Sequence, residues 1–423
     1  MLTAVKSIVS RGANRFGLAV LRKSTLDSLT AQKAEADEAR RAYDQVQRAY
    51  DDEVAKFADV AAREAEQKAK EFSDREARGR RQAALWRKLE TVTAADYYFA
   101  MDVVGTCTLK CPSCPVGNSV KQLPTGIMSI DAYRQIIDKI GREHTGERVF
   151  IDLFNWGESL LHKNLPEMIT LANERGIGIG LSTNLNAFPR MREVIRAKPS
   201  YIRISLSGSQ NATYQQTHAG GDINVVKSNM YLLRHHMAET GIEIPIQVGF
   251  HVYRTNFPDD FVAMRSLCDE LGFYFMPSIA TFMPLEKALH TSDGKLITPQ
   301  DRTLLEKLVV SMEERSEILS KTRSPVQDCE FRSRRTAINF DGSVALCCAT
   351  FNNEQLISRN YVDTTREELH KRKYEHNFCT DCMNRNFDMI FTGVDSHLIE
   401  KRAAEILGPG FSEFLEDKWR PWS

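Results

Sequence analysis

The sequence predicts an α/β protein: six strand–helix units in a row from about Tyr97 onward, a long helix ahead of them and a cysteine-rich tail behind. Three observations lead there. From Tyr97, short β-branched or aromatic runs alternate with helical patterns, the order that builds a parallel sheet, either open or curved into a partial barrel. Residues 25–93 are rich in Ala, Glu, Lys, Arg and Gln, hold no proline and only one glycine, Gly79, which favours one continuous helix. The nine cysteines, at 107, 111, 114, 268, 329, 347, 348, 379 and 382, fall mostly in close-set groups.

The bulk properties set bounds. A chain of 423 residues has room for two or three domains and a large core. Lys+Arg and Asp+Glu balance at 56 each, so no global basic field points to nucleic acid as a partner. No run of about 18 apolar residues marks a spanning helix. Residues 1–24 carry Lys6, Arg11, Arg15, Arg22 and Lys23 and no acidic residue; they read as a basic amphipathic helix, suited to peripheral contact with an anionic membrane or to docking within the protein. They lack the apolar centre and cleavage site of a secretory signal, so a cytoplasmic location is expected. In that reducing setting, grouped cysteines point to metal binding or chemistry rather than disulfides.

Taken in order, the segment 25–93 reads as a helical or coiled-coil stalk. Its larger apolar residues recur at Tyr43, Val46, Tyr50, Val54, Phe57, Ala61, Ala65 and Phe72, an 11-residue period with Lys68 in one slot. That period suits a nearly straight or slightly right-handed coiled coil. It would reach about 100 Å at ~1.5 Å per residue, as a stalk for a homo-oligomer or an arm on its own domain. The strand candidates of the next region, 95–322, are YYFAMDVVG, RVFIDLFNW, GIGLSTN, YIRISLSG, IPIQVGFHVY and FYFMPSIATF, with helical patterns at 130–143, 163–175, 222–239, 258–271 and 298–320. The region 323–395 carries the second cysteine group, and within it INFDGSVAL reads as a hairpin turning at Asp341-Gly342. Residues 396–423 form a helical tail.

The loop after the first strand, GTCTLKCPSCPVGN at 105–118, spaces Cys107, Cys111 and Cys114 as C-x3-C-x2-C. Three thiolates on a four-iron cubane leave one iron without a protein ligand, free for a small molecule that chelates through an amine and a carboxylate. A zinc site would need a fourth ligand close by, and CTLKCPSCPVGN offers no histidine or further cysteine. Here the chain resembles the radical SAM superfamily, whose signature is this loop after the first strand and whose chelating molecule is S-adenosylmethionine (SAM). The resemblance covers about residues 95–395. It implies a partial (β/α)6 TIM-like barrel with its ligands at the C-terminal strand ends.

The resemblance extends to FNWGESLLHKNLPEMI at 154–169, where Gly157 and Glu158 match the Gly-Gly-Glu type motif that receives the SAM ammonium group; Trp156 and Ser159 replace the commoner Gly and Pro. Asn184, in LSTNLN, corresponds to the family's Thr-Asn-Gly, and Ser205, in RISLSGS, to a serine that meets the SAM ribose or carboxylate. The same polar residues also suit helix capping. The residue before the third cysteine is often aromatic in the family and leans on the adenine; here it is Ser113. The implied chemistry is the cofactor's: reductive cleavage of SAM to a 5′-deoxyadenosyl radical that abstracts hydrogen from an unactivated C–H.

The tail resembles the start of a SPASM extension, truncated after Cys382 as in the shorter twitch variety. By that resemblance Cys329, Cys347, Cys379 and Cys382 hold an auxiliary [4Fe–4S] cluster, the second of two; a four-cysteine zinc site uses the same ligands. A fully ligated cluster could accept an electron from the substrate radical, relay electrons or hold the tail together. Cys348 is spare: an alternative ligand, a hydrogen-atom donor or a packed hydrophobe. Cys268 lies on the apolar face of a helix and reads as core. His218, His235, His236 and His251 show no ligand spacing.

The expected function is a radical SAM oxidoreductase or epimerase acting on a small polar substrate, sugar- or cyclitol-like, with an electron donor such as flavodoxin or ferredoxin. Modification of a ribosomally made (RiPP) peptide is the second enzymatic reading, and a scaffold with structural metal sites the third. Glu158 and the open three-cysteine loop argue against the scaffold.

Overall fold

The computed structural model describes residues 16–118, 125–295, 298–351 and 353–419. The basic segment expected over 1–24 falls outside the described residues as far as position 15. From Phe16 the chain is one helix, α1 (Phe16–Thr93), of 78 residues, as the absence of proline leads one to expect. The chain forms two units, divided between Ala77 and Arg78.

In the first unit the stripe residues Tyr43, Val46, Tyr50, Val54 and Phe57 are 48–73% exposed. Their i, i+3, i+4 spacing gives one continuous apolar line along the helix.

In the second unit, the last turns of α1 pack on the sheet. Its strands are β1 (Tyr97–Met101), β2 (Val149–Asp152), β3 (Gly178–Thr183), β4 (Tyr201–Leu206), β5 (Ile246–Val252) and β6 (Tyr274–Ile279). Each lies inside one of the six runs expected, and all pair in parallel in sequence order. The helices between them are α2 (Ile130–Glu143), α3 (Leu165–Asn173), α4 (Met191–Arg196), α5 (Ile223–Thr240) and α6 (Asp259–Leu271). Alternation divides the strands into two faces. Phe99, Met101, Ile151, Ile179, Ile202, Ile204, Val248 and Phe250 join the helices in one core. On the other face stand Tyr98, Phe150, Asp152, Tyr201, Gln247 and Met276, which line a single cavity of about 490 Å³ together with Trp86 and Leu89 of α1. Six strands at ~4.8 Å spacing would spread their side chains over more than 20 Å if flat. Residues of β1 and β6 meet round one cavity because the sheet curves, as a partial barrel requires.

The end of α1 closes that side. Gln82 donates to the Phe273 carbonyl at 3.0 Å and accepts from the Phe275 N–H at 3.0 Å, extending the edge strand β6 with a side chain. Arg78 pairs with Asp269 at 2.9 Å, and the rings of Trp86 and Tyr274 stand 5.6 Å apart.

After α7 (Leu285–Ser292), the helix expected over 298–320 is two, α8 (Pro299–Lys307) and α9 (Met312–Ser320). The break has a local cause. Ser311 caps α9 by accepting from the Glu314 N–H, and Arg254 donates to the carbonyls of Leu308 and Val309, each at 2.8 Å. The carbonyls freed at the end of α8 are thereby satisfied without a helix running on.

The tail begins with α10 (Glu330–Arg334) and β7 (Arg335–Ile338), which adds in parallel to β1, and continues into β8 (Val344–Ala345) and β9 (Leu356–Ser358), both antiparallel. The hairpin between β7 and β8 turns at Asp341-Gly342 as expected, Gly342 having φ of 81° and Asp341 accepting from the Ser343 N–H. Phe340 at its tip fills the space against Gly105 and Gly126, where an added Cβ would stand 2.3 and 2.4 Å from its ring. Five helices follow: α11 (Arg366–Tyr374), α12 (Asn377–Asn384), α13 (Phe387–Thr392), α14 (Ser396–Leu407) and α15 (Pro409–Trp419). No helix among the described residues is long and apolar enough to cross a membrane.

Candidate functional site

The three-cysteine loop leaves the C-terminal end of β1 and is held by the loop that leaves β2. Asp102 organises the junction: its Oδ1 accepts from the backbone N–H groups of Asn155, Trp156 and Gly157 at 3.0, 3.0 and 2.9 Å. Burial pushes this carboxyl up to about 6 although those three bonds pull it down. Gly157 is dictated by contact, since a Cβ there would stand 1.7 Å from the Val104 carbonyl oxygen. The next N–H, of Glu158, donates to the Thr106 carbonyl at 2.9 Å. The two loops therefore run backbone to backbone up to Cys107.

Glu158 is 4% exposed, and its carboxylate accepts from the N–H of Asn184 at 2.9 Å and of Leu160 at 3.2 Å. Burial pushes it up to about 7, against those bonds. Asn184, at the end of β3, turns its Nδ2 toward the Cys107 sulfur at 3.5 Å and the Thr108 hydroxyl at 3.4 Å. The Leu109 N–H also donates to the Cys107 sulfur at 3.5 Å, and Cys114 Sγ lies 3.9 Å from the Trp156 carbonyl. Gly117 lets the loop turn tightly, its position for a Cβ being 2.6 Å from the Cys111 nitrogen. Burial raises all three thiols, Cys114 to about 11.

Three of the residues singled out from sequence are thus joined, Asn184 bonding both Cys107 and Glu158, while Gly157 packs on the cysteine loop's backbone at Val104 and Thr106. Ser205 stands in register with Gly249 on the cavity face of β4, and its carbonyl accepts from the His218 ring, which burial holds down to about 4. It makes no hydrogen bond to Glu158 or Asn184 among the described residues. Ser113, where an aromatic was noted as missing, hydrogen-bonds the buried Tyr253.

The second cysteine group assembles from distant segments. Cys329 is the N-cap of α10, Cys347 follows β8, and Cys379 and Cys382 lie one turn apart on α12. All four line one small cavity, walled by Leu285, Phe331, Leu346 and Phe378. Cys348 does not line it. That thiol hydrogen-bonds Cys347 and is lowered by this bond, with Arg335 and Lys373 adding to the effect. Lys373 is 2% exposed and bonds the Arg335 carbonyl; burial holds it down to about 8. Cys268 is fully buried in the core, as its place on α6 implies.

The donor sets test which metal fits. Among the described residues, only His235, His236 and Glu239 bring three ligand atoms within 4.8 Å of one another. They lie on the outside of α5, and Arg192 occupies Glu239 at 2.7 Å. Thiolates around one zinc at ~2.3 Å would stand roughly 3.8 Å apart. Neither cysteine group brings three sulfurs within 4.8 Å of one another among the described residues; an all-thiolate donor set is of the kind that zinc and iron–sulfur clusters both use.

Sequence reasoning passed over Asp102 and Lys373, and noted Trp156 only as a departure from the Gly-Gly-Glu type motif. An acid closing the apolar run YYFAM was the available signal for Asp102. The indole of Trp156 donates to the Thr350 carbonyl at 3.1 Å, joining the first loop to the tail; nothing in the sequence announces that contact.

The chain matches no family model and no curated protein. Among solved structures it is similar, at low identity, to the following. BtrN in complex with AdoMet and 2-DOIA is 14% identical over 67% of this chain and 87% of that one, with a TM-score of 0.38. Histidine-tagged anSMEcpe with bound AdoMet is 14% identical over 76% and 98%, at 0.44. SuiB of Streptococcus suis bound to the precursor peptide SuiA is 11% identical over 69% and 68%, at 0.45.

Proposed function

We propose that the chain is a radical SAM enzyme that takes a hydrogen atom from a small polar, sugar- or cyclitol-like substrate and so dehydrogenates or epimerises it. The observation that carries this is the direct contact of Asn184 with both the Cys107 sulfur and the Glu158 carboxylate, on a loop with three thiols and no fourth. Cys107, Cys111 and Cys114 would hold a [4Fe–4S] cluster and leave one iron open. When bound, that cluster supplies the electron for reductive cleavage of SAM.

The protein's own part is positioning. Glu158 receives the SAM ammonium, and its burial strengthens that pairing. Gly157 allows the loop to approach the cysteines, and the amide of Asn184 orients Cys107. Ser205 takes the ribose or carboxylate. Cys329, Cys347, Cys379 and Cys382 would hold a second [4Fe–4S] group with every ligand position filled. Cys348, left outside that set, is the candidate hydrogen donor in an epimerisation. The reductant is a flavodoxin- or ferredoxin-type protein in the cytoplasm, and the exposed stripe on α1 pairs with a second copy.

The test is anaerobic reconstitution followed by SAM-binding calorimetry and detection of 5′-deoxyadenosine with a strong reductant. Saturable SAM binding and product formation by the wild type support the reading. A fully iron-loaded protein that neither binds nor cleaves SAM would remove it.

A further inference from the structure

The cavity face of the sheet carries a cation without an ion-pair partner among the described residues. Arg203 is the middle residue of the cavity-facing column Tyr201, Arg203 and Ser205 of β4, whose other face, Ile202, Ile204 and Leu206, lies in the core. Its Nε is enclosed and has no hydrogen-bond partner. The neighbours that might have balanced it are spent. Asp152 accepts from the Tyr201 hydroxyl at 2.9 Å on one oxygen and pairs with Arg335 at 3.1 Å on the other. Gln247, in register with Arg203, points its amide at the Met276 sulfur. His251, on the adjacent strand, is partly buried, and desolvation with the nearby Arg203 charge holds its pKa down to about 3. Glu90 and Glu330 also line the cavity but are exposed.

The residue opposite makes room for this side chain, which stands just beyond the lining of the cavity. The position facing it on β5 is Gly249, where a Cβ would stand 3.0 Å from Arg203 Nε. Below it, Tyr201 and Gln247 line the 490 Å³ cavity, walled by Trp86, Tyr98 and Phe150. Above it are Ser205 and the strand ends that carry Glu158 and the cysteine loop. Arg203 is partly buried with its Nε enclosed; an unpaired cation costs more the further it is taken from water unless an anion completes it, and the planar guanidinium is matched to a carboxylate or phosphate.

We infer that Arg203 is the anchor for an anionic group of the substrate, so that the molecule accepted inside the barrel is an acid, bearing a carboxylate or a phosphate, and not a neutral polyol. This rests on the proposed function in taking the barrel interior as the substrate site, and it adds the charge of the substrate to that reading.

The experiment uses reconstituted holoenzyme and two small probes, acetate and inorganic phosphate, each titrated against chloride at constant ionic strength while the melting temperature is followed. At least one probe should stabilise the wild type saturably. Its half-saturation should rise at least tenfold in Arg203→Met and recover part of the way in Arg203→Lys. Acetate alone would mean a carboxylate substrate, and phosphate alone a phosphorylated one. If Arg203→Met does not fold, Gly249→Val, which keeps the charge but displaces the guanidinium, should abolish the effect. No saturable response to either anion, or a response that survives both Arg203→Met and Gly249→Val, overturns the inference. So does loss of SAM binding in Arg203→Met, which would put the guanidinium on the SAM carboxylate instead. SAM cleavage by the wild type is scored separately: its failure would strike the cofactor reading and leave the anion result standing.

Discussion

The two cysteine groups are built in opposite ways. Cys107, Cys111 and Cys114 come from one loop, three thiols within eight positions, and their neighbours are polar: the Asn184 amide, the buried Glu158 carboxylate and the Asp102 junction. Cys329, Cys347, Cys379 and Cys382 come from three stretches up to 53 positions apart (382 − 329) and share an apolar cavity. One group offers three thiols beside polar side chains that are themselves tied to the surrounding backbone. The other offers four thiols in a mostly apolar cavity that Arg332 and Asp388 also line. On the proposed function, the contrast teaches what each would do: the open site would recruit a small molecule, and the closed one would store charge or fix structure.

The sharpest way to break that contrast is to dismantle the closed site alone. Cys379→Ala with Cys382→Ala should lower the iron content from about eight to about four per chain, lower the melting temperature and abolish product. SAM cleavage should persist, because the first loop is untouched. Iron analysis and 5′-deoxyadenosine detection on the same sample check this. Next in size is Gly157→Ala. With a Cβ driven to 1.7 Å from the Val104 oxygen, the loops must separate, at a cost of roughly 1–3 kcal/mol in urea unfolding, and SAM binding should be lost.

Glu158→Gln probes the open site more gently. The amide oxygen still accepts one N–H, so the fold should hold, while SAM affinity falls about 10–100-fold from loss of a charged hydrogen bond, read by calorimetry. A smaller effect is pH-dependent. Burial holds His218 down to about 4 and His251 to about 3. Their folded values lie below the unfolded one, so the unfolded chain binds more protons once pH drops below ~6.5. Each histidine then costs nothing at pH 7 and about 2 kcal/mol at pH 5. Asp102 and Glu158, raised by burial, act in the opposite sense over the same window. The clean measurement is therefore the difference between wild type and His218→Gln, whose urea midpoint should fall less between pH 7 and 5. Smallest of all, Cys348→Ala should leave iron content and SAM cleavage intact. Loss of product would make it the hydrogen donor of an epimerisation, and unchanged product would point to dehydrogenation.

The first site was largely legible because its information is local. The C-x3-C-x2-C spacing, the strand before it and Gly157-Glu158 after the next strand all sit in short windows, and the six strands followed from alternation of apolar runs. The second group was legible only as a count of cysteines and a resemblance, since nothing in the spacing says that α10, β8 and α12 converge. The break at Leu308–Ser311 escaped because a side chain from far away, Arg254, supplies the missing donors. Arg203 escaped for a related reason. In YIRISLSG it reads as an ordinary polar position of an alternating strand, and only the fold reveals that its neighbours are already paired.

The central claim is that the three-cysteine loop holds an open cluster that cleaves SAM. It is tested most directly by measuring 5′-deoxyadenosine formation in anaerobically reconstituted wild type beside the Cys107→Ala, Cys111→Ala, Cys114→Ala triple variant, each with iron quantified. The account predicts product from the wild type and none from the variant, which keeps about half the iron. No product from a fully loaded wild type, or equal product from both, would contradict it.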